Sequence, residues 1–392
     1  MSYTLKFFET PLVEFDMVST DDDFRVKALF CKWNKADMLP LGMRVLHGSM
    51  ESLEKELAKW LVARVMHPER AHMAEVFKAF GLAENDIEGA VAVSHCLSLN
   101  DAYWVVPTES TATLADINLY TNEFSSEVAQ ISLTGEAKDL RGLLDDGLML
   151  TPEFTTSGQR PKCWKREGED IMLYKAASVT DGVAGQEPYA EYYAADLAKQ
   201  LGYEAIQYDL KMVDGQLCSV CKMLTNEKIA YASADHLIKD PGLDAAMRYY
   251  FGQAEVTGYA DIMDAFADMI VFDALVCNTD RHFGNFGIIL DSHANQPIAA
   301  SPLYSHGKAL LSGATEEDFE DIDAYIAQLK PQMYDDFVAP AVRFLGPLQR
   351  EKLQGAVDFT FTRHPEFNWP EWRLEALEEV IHERARMMLN AR

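Results

Sequence analysis

The stretch NTDRHFGNF, residues 278–286, sets Asp280 and Asn285 five positions apart with Arg281 and His282 between them. The apolar run FADMIVFDALVC precedes it and FGIIL follows it. Polar groups crowded between buried segments suit two structures. One is a solvated, Asx-rich turn. The other is a phosphoryl-transfer loop, in which an Asp orients a hydroxyl nucleophile and an Asn a few residues on holds a metal ion. The strongly apolar helix before the loop and the short β pair after it favour the second. Asp280 is then the base, and Asn285 gives its amide oxygen to Mg²⁺, a hard cation that prefers oxygen ligands. His282 is expected to be a hydrogen-bonding residue of the nucleotide site rather than a base.

Such a loop needs a positive group over the nucleotide phosphates, usually a strand Lys held by a Glu of the neighbouring helix. Lys175 in LYKAA and Glu191 on the helix that follows fit these roles, with Glu187, one turn earlier, as a rival partner. Alone, Lys175 also reads as a strand-end lysine snorkelling to water, and Glu191 as an ordinary exposed glutamate. The segment TTSG could cover phosphates with its backbone amides, because Gly158 allows close approach. A single glycine is also what an ordinary surface turn carries. The strand QLCSVCKML runs into a joining segment where backbone groups at Met223 and Leu224 could meet an adenine edge. Its CSVC lies in a strand pattern without a second pair, so buried structural cysteines are expected rather than zinc or redox chemistry.

The elements that must position these residues follow from periodicity. EPYAEYYAADLAKQLG places Tyr189, Tyr193, Leu197 and Leu201 at successive i+4 positions, with Pro188 in its first turn and Gly202 at its end. DIMDAFADMIVFDALVC sets Ile262, Phe266 and Ile270 on one face, and PEWRLEALEEVIHERARMML is an amphipathic helix. TPEFTTSGQRPKCW reads as a polar loop leading through a charged turn, KREGED, to the strand IMLYKAA. The predicted class is α+β. Residues 137–224 form a small β-rich lobe and 225–392 a larger helical lobe. Residues 1–136 form an additional, mainly helical module of mixed signals and unknown role. Its helices are read from Leu53, Leu57, Trp60, Leu61 and Val65, and from Met73, Val76, Phe77 and Phe80.

Composition bounds the rest. At 392 residues with 48% hydrophobic content the chain is globular and too long for one ordinary core. Its net charge of −27 would repel duplex DNA and anionic bilayers, and no basic run offers a local exception. A basic protein partner fits that surface better than direct nucleic-acid or membrane contact. ATP is an anion too, so its site must be a positive pocket within a negative field. No apolar run reaches the length of a membrane span. The start lacks a signal-peptide pattern, and six scattered cysteines make no disulfide framework. A cytoplasmic location is the expectation.

On these motifs the chain resembles the HipA-like kinases, bacterial serine/threonine kinases first known as toxins of toxin–antitoxin pairs. NTDRHFGNFGIIL is similar to the family's catalytic loop, a style shared with phosphatidylinositol kinases. AEYYAADLAKQLG is similar to its regulatory helix, which supports Glu191 over Glu187. TPEFTTSGQRPKCWKREGEDIMLYKAA is similar to its glycine-rich loop and lysine strand. The resemblance covers roughly residues 140–320. It implies a bilobal, protein-kinase-like fold, ATP and Mg²⁺ as cofactors, transfer to a protein serine or threonine, and an antitoxin partner. It also implies autophosphorylation in the glycine-rich loop, at Ser157 by position, with Thr155 and Thr156 as rivals. One position departs. Where the family places a metal-chelating Asp, SPLYSHGKALL carries Ser305. Loss of a full negative charge beside a divalent ion weakens its placement. Asp291 lies in the turn of the β pair, and His306 is a poor Mg²⁺ ligand. The chain is then an engineered inactive form, a natural pseudokinase, or an enzyme with an unusual metal arrangement. A phosphatidylinositol-type lipid kinase is a further alternative, disfavoured by the charge.

Overall fold

A computed structural model describes residues 1–20, 23–44, 46, 48–144, 150–238, 242–259 and 261–391. The chain is mixed α+β and divides into two compact units. The first comprises residues 1–175, 225–230 and 291–295, and the second residues 176–224, 231–290 and 296–392.

The first unit opens with three strands that the mainly helical reading of residues 1–136 did not anticipate, and it also holds the short strand ending at Pro107 that LSLNDAYWVVP suggests. β1 (Ser2–Phe7), β2 (Thr10–Thr20), β3 (Asp23–Cys31) and β4 (Tyr103–Pro107) form an antiparallel sheet in the order β3-β2-β1-β4. Leu5, Val13, Phe15 and Trp104 are almost wholly buried in it. Alternation of polar and apolar residues is the usual sign of such strands, and here two features break it. The doublets Phe7–Phe8 and Leu12–Val13 interrupt the period, and the register shifts at Leu5/Lys6 and again at Glu14/Phe15. Each bulge moves the following side chains to the other face. The expected helix is present as Met50–Val65, capped by Ser49, whose side chain accepts from the Ser52 amide. Its Leu53, Leu57, Leu61 and Val65 are fully buried in the core that contains the sheet.

Residues 151–175 belong to the same unit, although the sequence sets a boundary near 136. Arg70 holds them there. It is fully buried and pairs with Glu153 at 2.5 Å. It also donates to Ser132 and to the carbonyls of Thr156 and Lys162. β5 (Lys162–Glu167) and β6 (Asp170–Ala176) make an antiparallel hairpin in which Lys162 lies opposite Lys175. The strand therefore starts at Lys162 and takes in the charged residues read as a turn. The turn itself tightens to Gly168, at φ 64°. Lys165 and Arg166 stay half-exposed and lie over the rings of Tyr174 and Phe124.

In the second unit a small hairpin, β7 (Val179–Thr180) and β8 (Val183–Ala184), leads into the helix Glu187–Gln200. Pro188 occupies its first turn and Gly202 follows its end at φ 74°, as the sequence predicts. β9 (Tyr208–Val213) and β10 (Gln216–Lys222) form a second hairpin, with Cys218 and Cys221 buried. β11 (Ile229–Ser233), β12 (Gly287–Asp291) and β13 (Gln296–Ala300) form a three-stranded sheet with β12 in the middle. The helix Asp261–Leu275 is buried on all sides from Phe266 to Leu275, as a helix that is apolar all round must be. Among the described residues no helix is long and apolar enough to cross a membrane.

Candidate functional site

The loop at 278–286 is built from the end of the helix Asp261–Leu275. That helix carries an acid, Asp273, in the middle of its apolar sequence with its side chain fully buried. A buried carboxylate must be paired, and Asp273 takes Arg281 in a fork. Nε of Arg281 donates to Oδ2 at 2.7 Å and Nη2 to Oδ1 at 3.0 Å. Asp273 also accepts from Asn278 Nδ2 at 2.8 Å. The remaining guanidinium protons reach the carbonyls of Asn285, at 2.6 Å, and Tyr304, at 2.8 Å, and Nε2 of His306, at 3.0 Å. Every donor of Arg281 is thereby used. Burial is the largest influence and would lower its pKa, but the Asp273 charge and hydrogen bonds together outweigh it and the net shift is upward.

The consequence is geometric. One guanidinium ties the loop of Asp280 and Asn285 to the segment 304–306, and so to Ser305. Ser305 is half-buried and sits at φ 62°, in the left-handed region. Within the loop, Asn285 Nδ2 donates to the Asp280 carbonyl at 3.0 Å and the Asp280 amide donates to Asn278 Oδ1 at 3.2 Å. The half-buried Asp280 carboxylate accepts from Gln332 at 2.9 Å. His282 is exposed, and its Nδ1 accepts from the Gly284 amide at 3.1 Å, capping the short turn Phe283–Asn285. It is a turn-forming residue in this geometry. Asp291 spends its carboxylate on the amides of His293 and Ala294 in its own turn.

Two glutamates compete on the helix Glu187–Gln200. Glu187 accepts from Lys308 Nζ at 2.9 Å and from Ser178. Burial would raise its carboxyl pKa, but these bonds hold it below the usual value. Glu191 is fully buried and accepts from Ser219 of β10. Met223 and Leu224 follow β10, both half-buried.

In the first unit Lys175 is 6% exposed and its cross-strand partner Lys162 is 8% exposed. Directly opposed residues project to the same face of a hairpin, so two ammonium groups share one side. Lys162 Nζ donates to the Ser157 carbonyl at 2.8 Å. Gly158 has φ 94°, and a β-carbon there would collide with the Lys162 ammonium. The lysine tip could move aside, but at this φ any side chain would be strained, which is what calls for glycine. Of the three neighbouring hydroxyls, Thr155 donates to the Leu97 carbonyl at 2.6 Å and Thr156 to that of Pro152 at 2.7 Å, whereas Ser157 is exposed.

Sequence reasoning missed Asp273, Arg281 and Lys162. An acid inside an apolar helical run is itself a signal that a buried cation must meet it. Lys162 could be found only once the hairpin was folded about Gly168.

No family model and no curated protein matches the chain. Among solved structures it is similar to the Helicobacter pylori proinflammatory kinase CtkA, at 18% identity and a TM-score of 0.45. That match covers 58% of this chain and 92% of that one. It is also similar to a chain of the Shewanella oneidensis MR-1 toxin–antitoxin complex of HipA, HipB and operator DNA. There the identity is 11% and the TM-score 0.49, over 98% of this chain and 97% of that one.

Proposed function

We propose that the chain is a HipA-like kinase, built to bind ATP and Mg²⁺ and to transfer the γ-phosphoryl group to a protein serine or threonine. The observation that carries this reading is the Arg281 framework, which fixes Asp280, Asn285 and Ser305 within one unit. A loop held by a buried ion pair keeps its polar groups in place without cost at the moment of reaction. Asp280 accepts the proton of the attacking hydroxyl. By the resemblance, Lys175 would clamp the phosphates, Glu191 would orient that lysine, and the backbone at Met223 and Leu224 would meet the adenine. Gly158 lets the backbone of its loop come close, and Ser157 offers the hydroxyl for autophosphorylation.

The donor set tests the metal. The Asn285 amide nitrogen is engaged by the Asp280 carbonyl, which leaves its oxygen as the donor, and Ser305 adds a hydroxyl. Both suit a hard cation in kind and lack the charge of a carboxylate. Mg²⁺ held by these two residues would neutralise charge on the phosphates. Among the described residues, no group of three or more His, Cys, Asp or Glu side chains forms another metal centre.

Transfer of labelled phosphate from ATP by this chain and by its Ser305→Asp and Asp280→Ala variants tests the proposal. Gain of transfer in the first and its loss in the second supports it; an inert Ser305→Asp protein, across candidate substrates and metals, counts against it. Ser305 also favours a second reading, a pseudokinase that holds nucleotide or a partner protein without turnover. Calorimetry showing ATP binding that ignores Mg²⁺, together with an inert Ser305→Asp form, selects that alternative. A toxin role with a basic antitoxin partner rests on the resemblance and the acidic surface. Growth arrest on expression of Ser305→Asp, relieved by Asp280→Ala, would support it.

A further inference from the structure

The first unit holds a cavity of about 410 Å³ that none of the roles above uses. Its apolar wall is made by Phe8, Leu97, Tyr103, Leu119 and Tyr120. The wall is fixed before any ligand arrives. Phe8 sits at φ 48°, an uncommon conformation for a bulky residue. Both its backbone polar atoms are tied: its amide donates to the Ala102 carbonyl at 3.1 Å, and its carbonyl accepts from Trp104 Nε1 at 2.6 Å. Its ring stacks on His293 with centroids 4.5 Å apart. On the other side the Tyr120 hydroxyl donates to the Leu99 carbonyl at 2.7 Å.

The charged groups on the lining are all of one sign. Glu9, Asp101 and Glu227 line the cavity, and no Lys, Arg or His does so among the described residues. Asp101 is compensated by a bidentate bond to Arg64, at 2.6 and 2.8 Å. Glu9 accepts from the Leu114 amide at 2.6 Å, and among the described residues no cation lines the cavity beside it. Glu9 and Glu227 are exposed and set the sign of the mouth. The volume falls in the range of small-molecule pockets, roughly 300–1,000 Å³, which are mostly apolar with a few placed polar groups. Aromatic faces beside carboxylates favour a cation.

From this geometry we infer that the cavity binds a small organic cation, a primary amine or guanidinium carried on an aromatic or aliphatic body. The cationic head lies toward Glu9 and Glu227 and the apolar body against Phe8 and Tyr120.

Phenethylamine is the probe, and 2-phenylethanol, its near-isosteric neutral counterpart, is the control. Binding to the full chain is followed by calorimetry and by ligand-observed NMR. The amine binds, and the alcohol binds at least about tenfold more weakly. The Glu9→Gln/Glu227→Gln double variant weakens the amine several-fold, as does high salt. Ala115→Trp, which places a large side chain at an exposed position of the lining, abolishes binding. Far-ultraviolet circular dichroism checks that each variant is folded, and Leu119→Phe serves as a second filling variant if Ala115→Trp is not. Equal binding of the alcohol overturns the inference. So does failure of the amine to bind at millimolar concentration, or binding that neither filling variant disturbs.

Discussion

Arg281 does more for the candidate site than any residue that would touch a substrate. Its partner Asp273 is completely buried, so removing the guanidinium strands a charge. Arg281→Met should cost about 3–5 kcal/mol of stability by urea unfolding, and Asp273→Leu added to it should restore part of that loss. An additive double variant would show that the pair is not coupled. A second expectation concerns acid. Burial first, and then the nearby Arg70 charge, push His67 down to about 4, and its Nε2 is buried without a hydrogen-bond partner. A histidine depressed in the folded state contributes no penalty above its unfolded pKa near 6.5. As pH falls from there toward 4 the unfolded chain gains a proton that the folded one refuses. Stability therefore declines across that window, by on the order of 3 kcal/mol. His67→Phe should flatten this part of the stability–pH curve, and an unchanged slope would remove His67 as its cause. At this scale the sequence was legible where chemistry is local. Asp280 and Asn285 are five positions apart and can be read together. Arg281 lies eight residues from Asp273 and 25 from His306, and only folding shows what it joins.

Elements position the site through close backbone approach. Gly287 opens β12, and a β-carbon there would strike the Ala232 carbonyl and the Ser233 Cα of the neighbouring strand. Its amide donates to Ser301 Oγ at 3.1 Å, and its carbonyl accepts from the Tyr250 hydroxyl at 2.8 Å. Gly287→Val should cost about 1–3 kcal/mol or more, because both neighbours are backbone atoms that can give little. Thermal unfolding checks this, and a Tm equal to that of the parent would contradict the packing described. Helices were readable because Leu53, Leu57, Leu61 and Val65, or Tyr193 and Leu197, repeat at helical spacing, with a Ser49 cap on the first helix and Pro188 and Gly202 bounding the second. Of the N-terminal sheet only the strand ending at Pro107 was readable, because the two bulges in β1–β3 reset the alternation that marks a strand. The extent of β5 was obscured for a different reason. Its charged residues resemble a turn, and their rings for cation–π contact, Tyr174 and Phe124, lie elsewhere in the chain.

Taken whole, the chain carries a net charge of −27, and much of its surface repels itself. Raising ionic strength from low to physiological shortens the screening length to about 8 Å. The thermal midpoint should then rise by a few degrees, because the buried pairs Arg281–Asp273 and Arg70–Glu153 are little screened while the like-charge excess is. A fall would show that exposed ion pairs outweigh the repulsion. The division into two units was beyond the reach of composition, since residues 225–230 and 291–295 join the first unit from distant parts of the sequence. Buried Arg70 likewise draws residues 151–162 to the N-terminal module through bonds invisible in the chain order. The proposed function requires that the loop of Asp280 and Asn285 lack only a carboxylate at position 305 to act on ATP. The direct test is the initial rate of labelled phosphate transfer at saturating Mg²⁺ and ATP. Ser305→Asp should exceed the parent by at least about tenfold, and Asp280→Ala in that background should remove about 10²–10⁴-fold. A Ser305→Asp protein no faster than the parent, or one indifferent to loss of Asp280, would contradict the account.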